Sequence, residues 1–156
     1  MTWGPHYHVG YVVVDLEAAM DTVGAALDLR WTDVSDRSRT VQTGAGEVEI
    51  RFRTVYSVEG PPHVELIEQV PGTPWSGEPS GLHHVGHWSD DVRHDSGRLG
   101  DAGFPLAARA ETEPGTWRWA YHRHPAGGYL ELVDRSVEAE LRARMGATAE
   151  SPPAAE

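Results

Sequence analysis

Apolar and polar residues alternate along this chain in blocks that predict a strand, a helix and further strands, and then the order repeats. Residues 7–16, YHVGYVVVDL, are β-branched and aromatic and follow a Gly-Pro break, which predicts a strand. The period then changes: Ala18, Ala19, Val23, Ala26 and Leu27 recur at helical spacing behind a capping Asp15, predicting a helix over 15–29. Residues 30–34 read as a short strand, and the polar, turn-rich 35–47 as a loop or hairpin. Over 47–58 the alternation is clear. Val48, Ile50, Phe52, Thr54 and Tyr56 share one face, and Glu49, Arg51 and Arg53 share the other, which reads as a solvated face. A strand at 63–70 closes this block, followed by a Pro/Gly-rich linker over 71–80.

The second block repeats the first. Residues 82–91 predict a strand and 92–104 a helix stopped at Gly103. Strands are expected at 105–111, 117–125 and 129–134, and a last helix at 135–145. The tail 146–156 is expected to be disordered, since it can bury little apolar surface. His-Val-Gly stands at 8–10 and again at 84–86, and an Asp follows each at the same offset, Asp15 and Asp91. Val64-Glu65-Leu66-Ile67 matches Leu130-Glu131-Leu132-Val133 in character. The chain therefore reads as a duplicated unit, with module one at 6–70 and module two at 81–134, forming a single domain over 1–134.

Duplication gives the histidines and glutamates a joint meaning. Each half carries one His on its first strand and one Glu on its last. A pseudo-twofold relation would bring His8, Glu65, His84 and Glu131 together. Two imidazoles and two carboxylates suit one divalent Zn, Fe, Mn, Co or Ni ion with room for water. The glycine two positions beyond each histidine, Gly10 and Gly86, leaves space beside it.

Composition narrows the function classes. The 156 residues carry a formal net charge of −11, and all 13 basic side chains are Arg. That balance disfavours nucleic acid and anionic membrane surfaces as partners. No cysteine is present, which excludes disulfides, thiolate metal sites and cysteine nucleophiles. The amino-terminal residues show no signal-peptide pattern and no run is long enough to span a bilayer, so a cytoplasmic protein is the expectation.

The residues also resemble a known family. HVGYVVVDLEAAM, VELIEQVPGTPW, GLHHVG and HPAGGYLELV are similar to the four signature segments of the vicinal oxygen chelate superfamily, which includes glyoxalase I, methylmalonyl-CoA epimerase, bleomycin-resistance proteins and extradiol dioxygenases. The resemblance spans about residues 6–134. It implies an α+β fold of two β-α-β-β-β modules, whose curved mixed sheet closes barrel-like around a metal with helices outside. It carries the metal ligands over as His8, Glu65, His84 and Glu131, selecting His84 over His83 and Glu65 over Glu68. It also implies a homodimer and a small-molecule substrate. The chemistry implied is that of a metal-dependent lyase or isomerase of glyoxalase/epimerase type, acting on a small carbonyl or thioester through a metal-stabilised enolate or enediolate. Glu131 is then the first candidate for a catalytic proton shuttle, with Glu65 opposite it. Glu47 and Glu49 match the epimerases' further carboxylate poorly. Tyr121, Trp119 and Trp88 are candidates for the substrate pocket, with Trp117 placed on the Tyr121 face and Trp88 on the His84 face. His122 and His124 read as exposed residues rather than ligands. Sequestration of an aromatic drug or metabolite is the alternative. Extradiol ring cleavage is disfavoured by the short chain and the second Glu.

Overall fold

The computed structural model describes residues 4–76 and 81–149. Its element order repeats once: β1 (His6–Val13), α1 (Leu16–Leu27), β2 (Ser35–Thr43), β3 (Gly46–Tyr56) and β4 (His63–Glu68), then β5 (His84–Ser89), α2 (Val92–Asp101), β6 (Leu106–Glu113), β7 (Thr116–Arg123) and β8 (Tyr129–Asp134). A 3-10 turn at Arg135–Val137 leads into α3 (Glu138–Ala149).

The eight strands close a mixed barrel in the order β1-β4-β3-β2-β6-β7-β8-β5. Within each half the first strand runs parallel to the last, β1 to β4 and β5 to β8, and the remaining pairs are antiparallel. The halves meet twice within this one chain, at β1–β5 and at β2–β6. Closure leaves no sheet edge unpaired. This is the α+β curved sheet that the family resemblance implies, in the strand–helix–strands order that the duplicated pattern predicts.

α1 begins at the Asp15 cap that the sequence predicts, and α2 begins at Asp91, the equivalent residue of the repeat. The Asp15 carboxylate accepts from the Ala18 amide at 2.8 Å, and that of Asp91 accepts from the His94 amide at 2.9 Å. Gly103, at φ 91°, ends α2 in a conformation that favours glycine. The buried face of α1 differs from expectation. Leu16, Ala19, Met20 and Val23 turn inward, while Ala18 and Ala26 are exposed and Leu27 is 61% exposed. Leu16 sets the inward stripe, and Leu27, on the same face three turns later, is exposed at the last residue of the helix.

Four further differences have local causes. The segment read as a short strand at 30–34 contributes only an isolated bridge between Trp31 and Ser57. The polar stretch after it is a full strand, β2, paired with β3 from Ser35↔Thr54 to Thr43↔Gly46. Trp75, in the expected linker, is buried at 1% exposure within the barrel's core cluster. Helix α3 continues to Ala149, past the expected end at 145. Of the expected tail, residues 150–156 lie outside the described residues.

The main core fills the barrel with Val41, Ile50, Ile67, Trp75, Trp119 and Tyr121 among others, and Leu141 and Met145 of α3 join it. Smaller clusters lie under α2, around Leu99 and Leu132, and under α1, around Leu16 and Leu66. No helix among the described residues is long and apolar enough to cross a membrane.

Candidate metal centre

Antiparallel pairing of β1 with β5 sets His8 opposite Gly86 and Gly10 opposite His84, with Val9 opposite Val85 between them. Side chains alternate across a sheet, so both histidines enter the barrel from the same crossing. A Cβ built on Gly10 would fall 1.9 Å from His84 Cε1, and one on Gly86 would fall 1.9 Å from His8 Cε1. Each glycine therefore clears space for the other half's histidine. The sequence reading had each glycine serving the histidine on its own strand.

The glutamates arrive from the neighbouring strands. Glu65 pairs with Gly10 and with Tyr56; Glu131 pairs with Gly86 and with Tyr121. The result is a nearly symmetric quartet. The two Nε2 atoms are 2.8 Å apart. His8 Nε2 lies 3.0 Å from Glu131 Oε2 and 3.4 Å from Glu65 Oε2. His84 Nε2 lies 3.1 Å from Glu65 Oε2 and 3.4 Å from Glu131 Oε2. All four residues are buried, none more than 5% exposed.

These separations fit a cation. Donors about 2.1 Å from one first-row ion stand about 3.0–3.4 Å from each other in octahedral or tetrahedral arrangements. His8 Nδ1 and Glu131 Oε2 are buried without a well-formed hydrogen bond among the described residues, the Glu131 oxygen being close to His8 but out of line. Two buried carboxylates also need positive charge. The His-Glu-His-Glu group can hold a metal ion.

Proton positions at His84 follow from its neighbours. His83 Nε2 donates to the Pro74 carbonyl at 2.9 Å, so His83 Nδ1 must accept. Its partner at 2.9 Å is His84 Nδ1, which therefore donates. That leaves the His84 Nε2 lone pair pointing at the quartet's centre, the tautomer a metal ligand needs. Burial, and then the neighbouring His84, lower the His83 pKa to about 4 and keep its ring neutral. At the equivalent position of the first half stands Tyr7, and His8 Nδ1 has no hydrogen-bond partner among the described residues.

Electrostatics show what the quartet does without a cation. Burial lowers the His8 pKa, but contacts with Glu131 and Glu65 outweigh it and raise it to about 9. Burial pushes Glu65 up, and contacts with His8 and His84 overcome this and hold it well below the usual carboxylate range. A proton on His8 Nε2 thus occupies the centre, facing the His84 lone pair and both carboxylates. Tyr7, Tyr56 and Tyr121 surround it, and burial followed by the carboxylate charges raises all three phenols well above 10.

A cavity opens from Glu65 and Glu131 past Tyr121, Trp119, Trp75 and Phe52. Those four rings pack edge to face, with centroids 4.9–6.2 Å apart. The structure thus brings Tyr121 and Trp119 to the quartet. It does not bring Trp88, which stacks on Tyr7 at 3.6 Å and lines a different cavity with His6 and Met145. Trp117 is likewise elsewhere. Register shifts between β6 and β7 make Arg118 an extra residue, turning Trp117 outward under α2 and Arg118 into the cavity. His122 is fully buried, accepting from Ser96 Oγ at 2.7 Å and donating to the Phe104 carbonyl at 2.7 Å; His124 is exposed. Arg51 and Arg53 lie outside the barrel, paired with Asp36 and with Glu17 and Glu68, and Glu47 and Glu49 are exposed.

Sequence reasoning missed Tyr56, Trp75 and His83 as neighbours of the quartet. The repeat holds a signal for Tyr56, which faces Glu65 across an antiparallel pair as Tyr121 faces Glu131.

The family model described as the glyoxalase/bleomycin resistance protein/dioxygenase superfamily matches residues 7–121. The chain belongs to this superfamily. No curated protein sequence matches it significantly. Solved structures share the superfamily's fold at low identity. Methylmalonyl-CoA epimerase from Mycobacterium tuberculosis is 18% identical, with a TM-score of 0.55 over 83% of this chain and 86% of that one. A methylmalonyl-CoA epimerase in complex with methylmalonyl-CoA and NH4+ is 17% identical, with a TM-score of 0.58 over 85% and 95%. A hypothetical protein from Bacillus halodurans C-125 is 16% identical, with a TM-score of 0.55 over 83% and 93%.

Proposed function

We propose that this chain is a metal-dependent lyase or isomerase of glyoxalase/epimerase type, acting on a small carbonyl or thioester substrate. The observation that carries this reading is the buried His8-Glu65-His84-Glu131 quartet at the floor of an aromatic-walled cavity. His8, Glu65, His84 and Glu131 are the proposed ligands of one divalent ion, Zn, Fe, Mn, Co or Ni. The ion would supply Lewis-acid polarisation of a substrate oxygen.

The chain's own residues supply the rest. Glu131, at the cavity floor, accepts the proton from the carbon beside the substrate carbonyl and in an isomerisation returns it to the neighbouring carbon. In an epimerisation Glu65, the second carboxylate across the centre, delivers a proton to the opposite face. Tyr121, beside Glu131, stays protonated because its pKa is raised, so its hydroxyl can donate to the carboxylate or to a substrate oxygen. Trp119 and Trp75 wall the cavity and exclude water from the reacting end. Methylmalonyl-CoA epimerases among the structural neighbours fit this chemistry, without an extra carboxylate at Glu47 or Glu49 to complete the match.

Metal analysis of the purified chain beside His8→Ala and Glu131→Ala tests the assignment. Wild type is expected to hold one ion per chain and to catalyse chelator-sensitive solvent deuterium exchange beside a carbonyl, and both variants to lose the ion. Retention of metal in both variants defeats the site. Metal-free wild type that binds an aromatic ligand equally well with and without chelator favours the sequestering role instead.

A further inference from the structure

Strand β2 carries arginines where a barrel strand normally carries apolar side chains. Ser35, Arg37, Arg39 and Val41 share a face by strand parity, and Val41 is completely buried in the core. Asp36, Ser38 and Thr40 take the other face, where Asp36 pairs with Arg51. Arg37 and Arg39 accordingly line the cavity that reaches Glu65 and Glu131. Arg118, the extra residue that the β7 register shift turns inward, lines it too, with its side chain 17% exposed. Arg144 of α3 is the fourth, already held by Thr32 Oγ1 and the Asp33 carbonyl.

This concentration runs against the composition. The chain has 24 acidic residues and 13 arginines. At this end of the cavity four arginines meet one carboxylate, Glu140, which sits 3.5 Å from Arg118. Arg37 and Arg39 make no hydrogen bond or close ion pair among the described residues. Burial, followed by the like charges of Arg118 and Arg37, lowers the Arg39 pKa against the pull of Glu140. Cations crowded in this way and short of counter-charge, with Arg39 and Arg118 partly desolvated, are stabilised by an anion. In the barrel order β2 lies across from β1 and β5, the strands that carry the two histidines. A ligand bound at the quartet therefore extends towards the arginines.

We infer that Arg37, Arg39 and Arg118 form an anion-binding end of the cavity, which takes a carboxylate or phosphate group carried by the substrate at the end remote from its reacting carbonyl. This rests on the quartet being the reacting end, as proposed above, and it narrows the substrate to an acidic carbonyl compound.

Two titration calorimetry experiments separate the two claims. Inorganic pyrophosphate added to chelator-stripped protein probes the arginines alone. It is expected to bind, and an Arg39→Met/Arg118→Met double variant, which keeps the apolar stems, is expected to bind about tenfold more weakly or worse. Absence of binding to wild type, or equal binding to the variant, overturns the inference. Arg37→Met, at an exposed position, gives the same reading should the double variant not fold. The metal-loaded protein is then titrated with hydroxamates bearing arms of two to six methylenes, each ending either in a carboxylate or in a methyl group. The best carboxylate arm is expected to outbind its methyl counterpart at least tenfold, and the arginine variants are expected to erase that preference while keeping the methyl series. Equal binding of the two series refutes the anion end and leaves the metal reading intact. Pyrophosphate binding without any hydroxamate binding upholds the arginine end and counts against the metal reading.

Discussion

His83 and His84 are adjacent in sequence and have opposite tasks. His84 turns its Nε2 to the centre, and His83 fixes which of the His84 nitrogens carries the proton through a relay that ends on the Pro74 carbonyl. Replacing His83 with Phe removes the acceptor and frees His84 to protonate on the ligand side. Metal affinity is expected to fall about 10–100-fold, the usual cost of losing a hydrogen-bond partner behind a ligating histidine. Competition against a chromophoric chelator measures this, and an unchanged affinity would show that His83 does not hold the tautomer. The sequence distinguished the two histidines because only His84 occupies the repeated position. It could not reveal the relay, because Pro74 approaches through a non-local fold of the 71–76 segment.

Among elements, the β1–β5 crossing determines the site. Its register aligns each histidine with the other strand's glycine, so the duplicated His-Val-Gly phrase acts as a reciprocal pair. A methyl group at Gly10 or Gly86 has no room beside an imidazole held on both sides. Gly10→Ala and Gly86→Ala are each expected to cost about 1–3 kcal/mol by overpacking and to reduce metal content. Denaturant unfolding with metal analysis checks both effects; full metal content in either variant would show that the histidines can shift without losing the ion. The alternation of β3, the Asp15 cap of α1 and the Gly103 stop of α2 were legible because local chemistry dictates them. β2 was not legible as a strand, since its inward face carries Arg37 and Arg39 rather than apolar residues. The outward turn of Trp117 was hidden for a related reason, because a bulge breaks strict alternation and leaves no mark in composition.

For the whole molecule, the quartet links charge, pH and metal. In metal-free protein the His8 pKa of about 9 exceeds its ordinary 6.5, so the proton's stabilisation is complete below pH 6.5 and disappears as pH rises to 9. That amounts to about 3 kcal/mol. Glu65, held below its ordinary 4.5, contributes above that pH, and the contribution is lost as acid protonates it. Scanning calorimetry of chelated protein is expected to show a Tm plateau between about pH 4.5 and 6.5 that declines towards 9. Since a cation must displace the His8 proton, metal uptake at pH 7 is expected to release on the order of one proton. Calorimetry in buffers of different ionisation enthalpy reads that number, and a value near zero would mean that the centre is already deprotonated.

The sequence by itself determined the duplicated α+β architecture, the Asp15 cap of α1, the Gly103 stop of α2 and the four residues that meet in the quartet, because these rest on local periodicity and on a repeat that labels equivalent positions. Tertiary structure alone decided which glycine serves which histidine, that Trp88 and Trp117 leave the cavity, that Trp75 enters it, and that arginines crowd its far end. Those outcomes depend on strand register and barrel closure, which bring residues from both halves together across distances that no local pattern records.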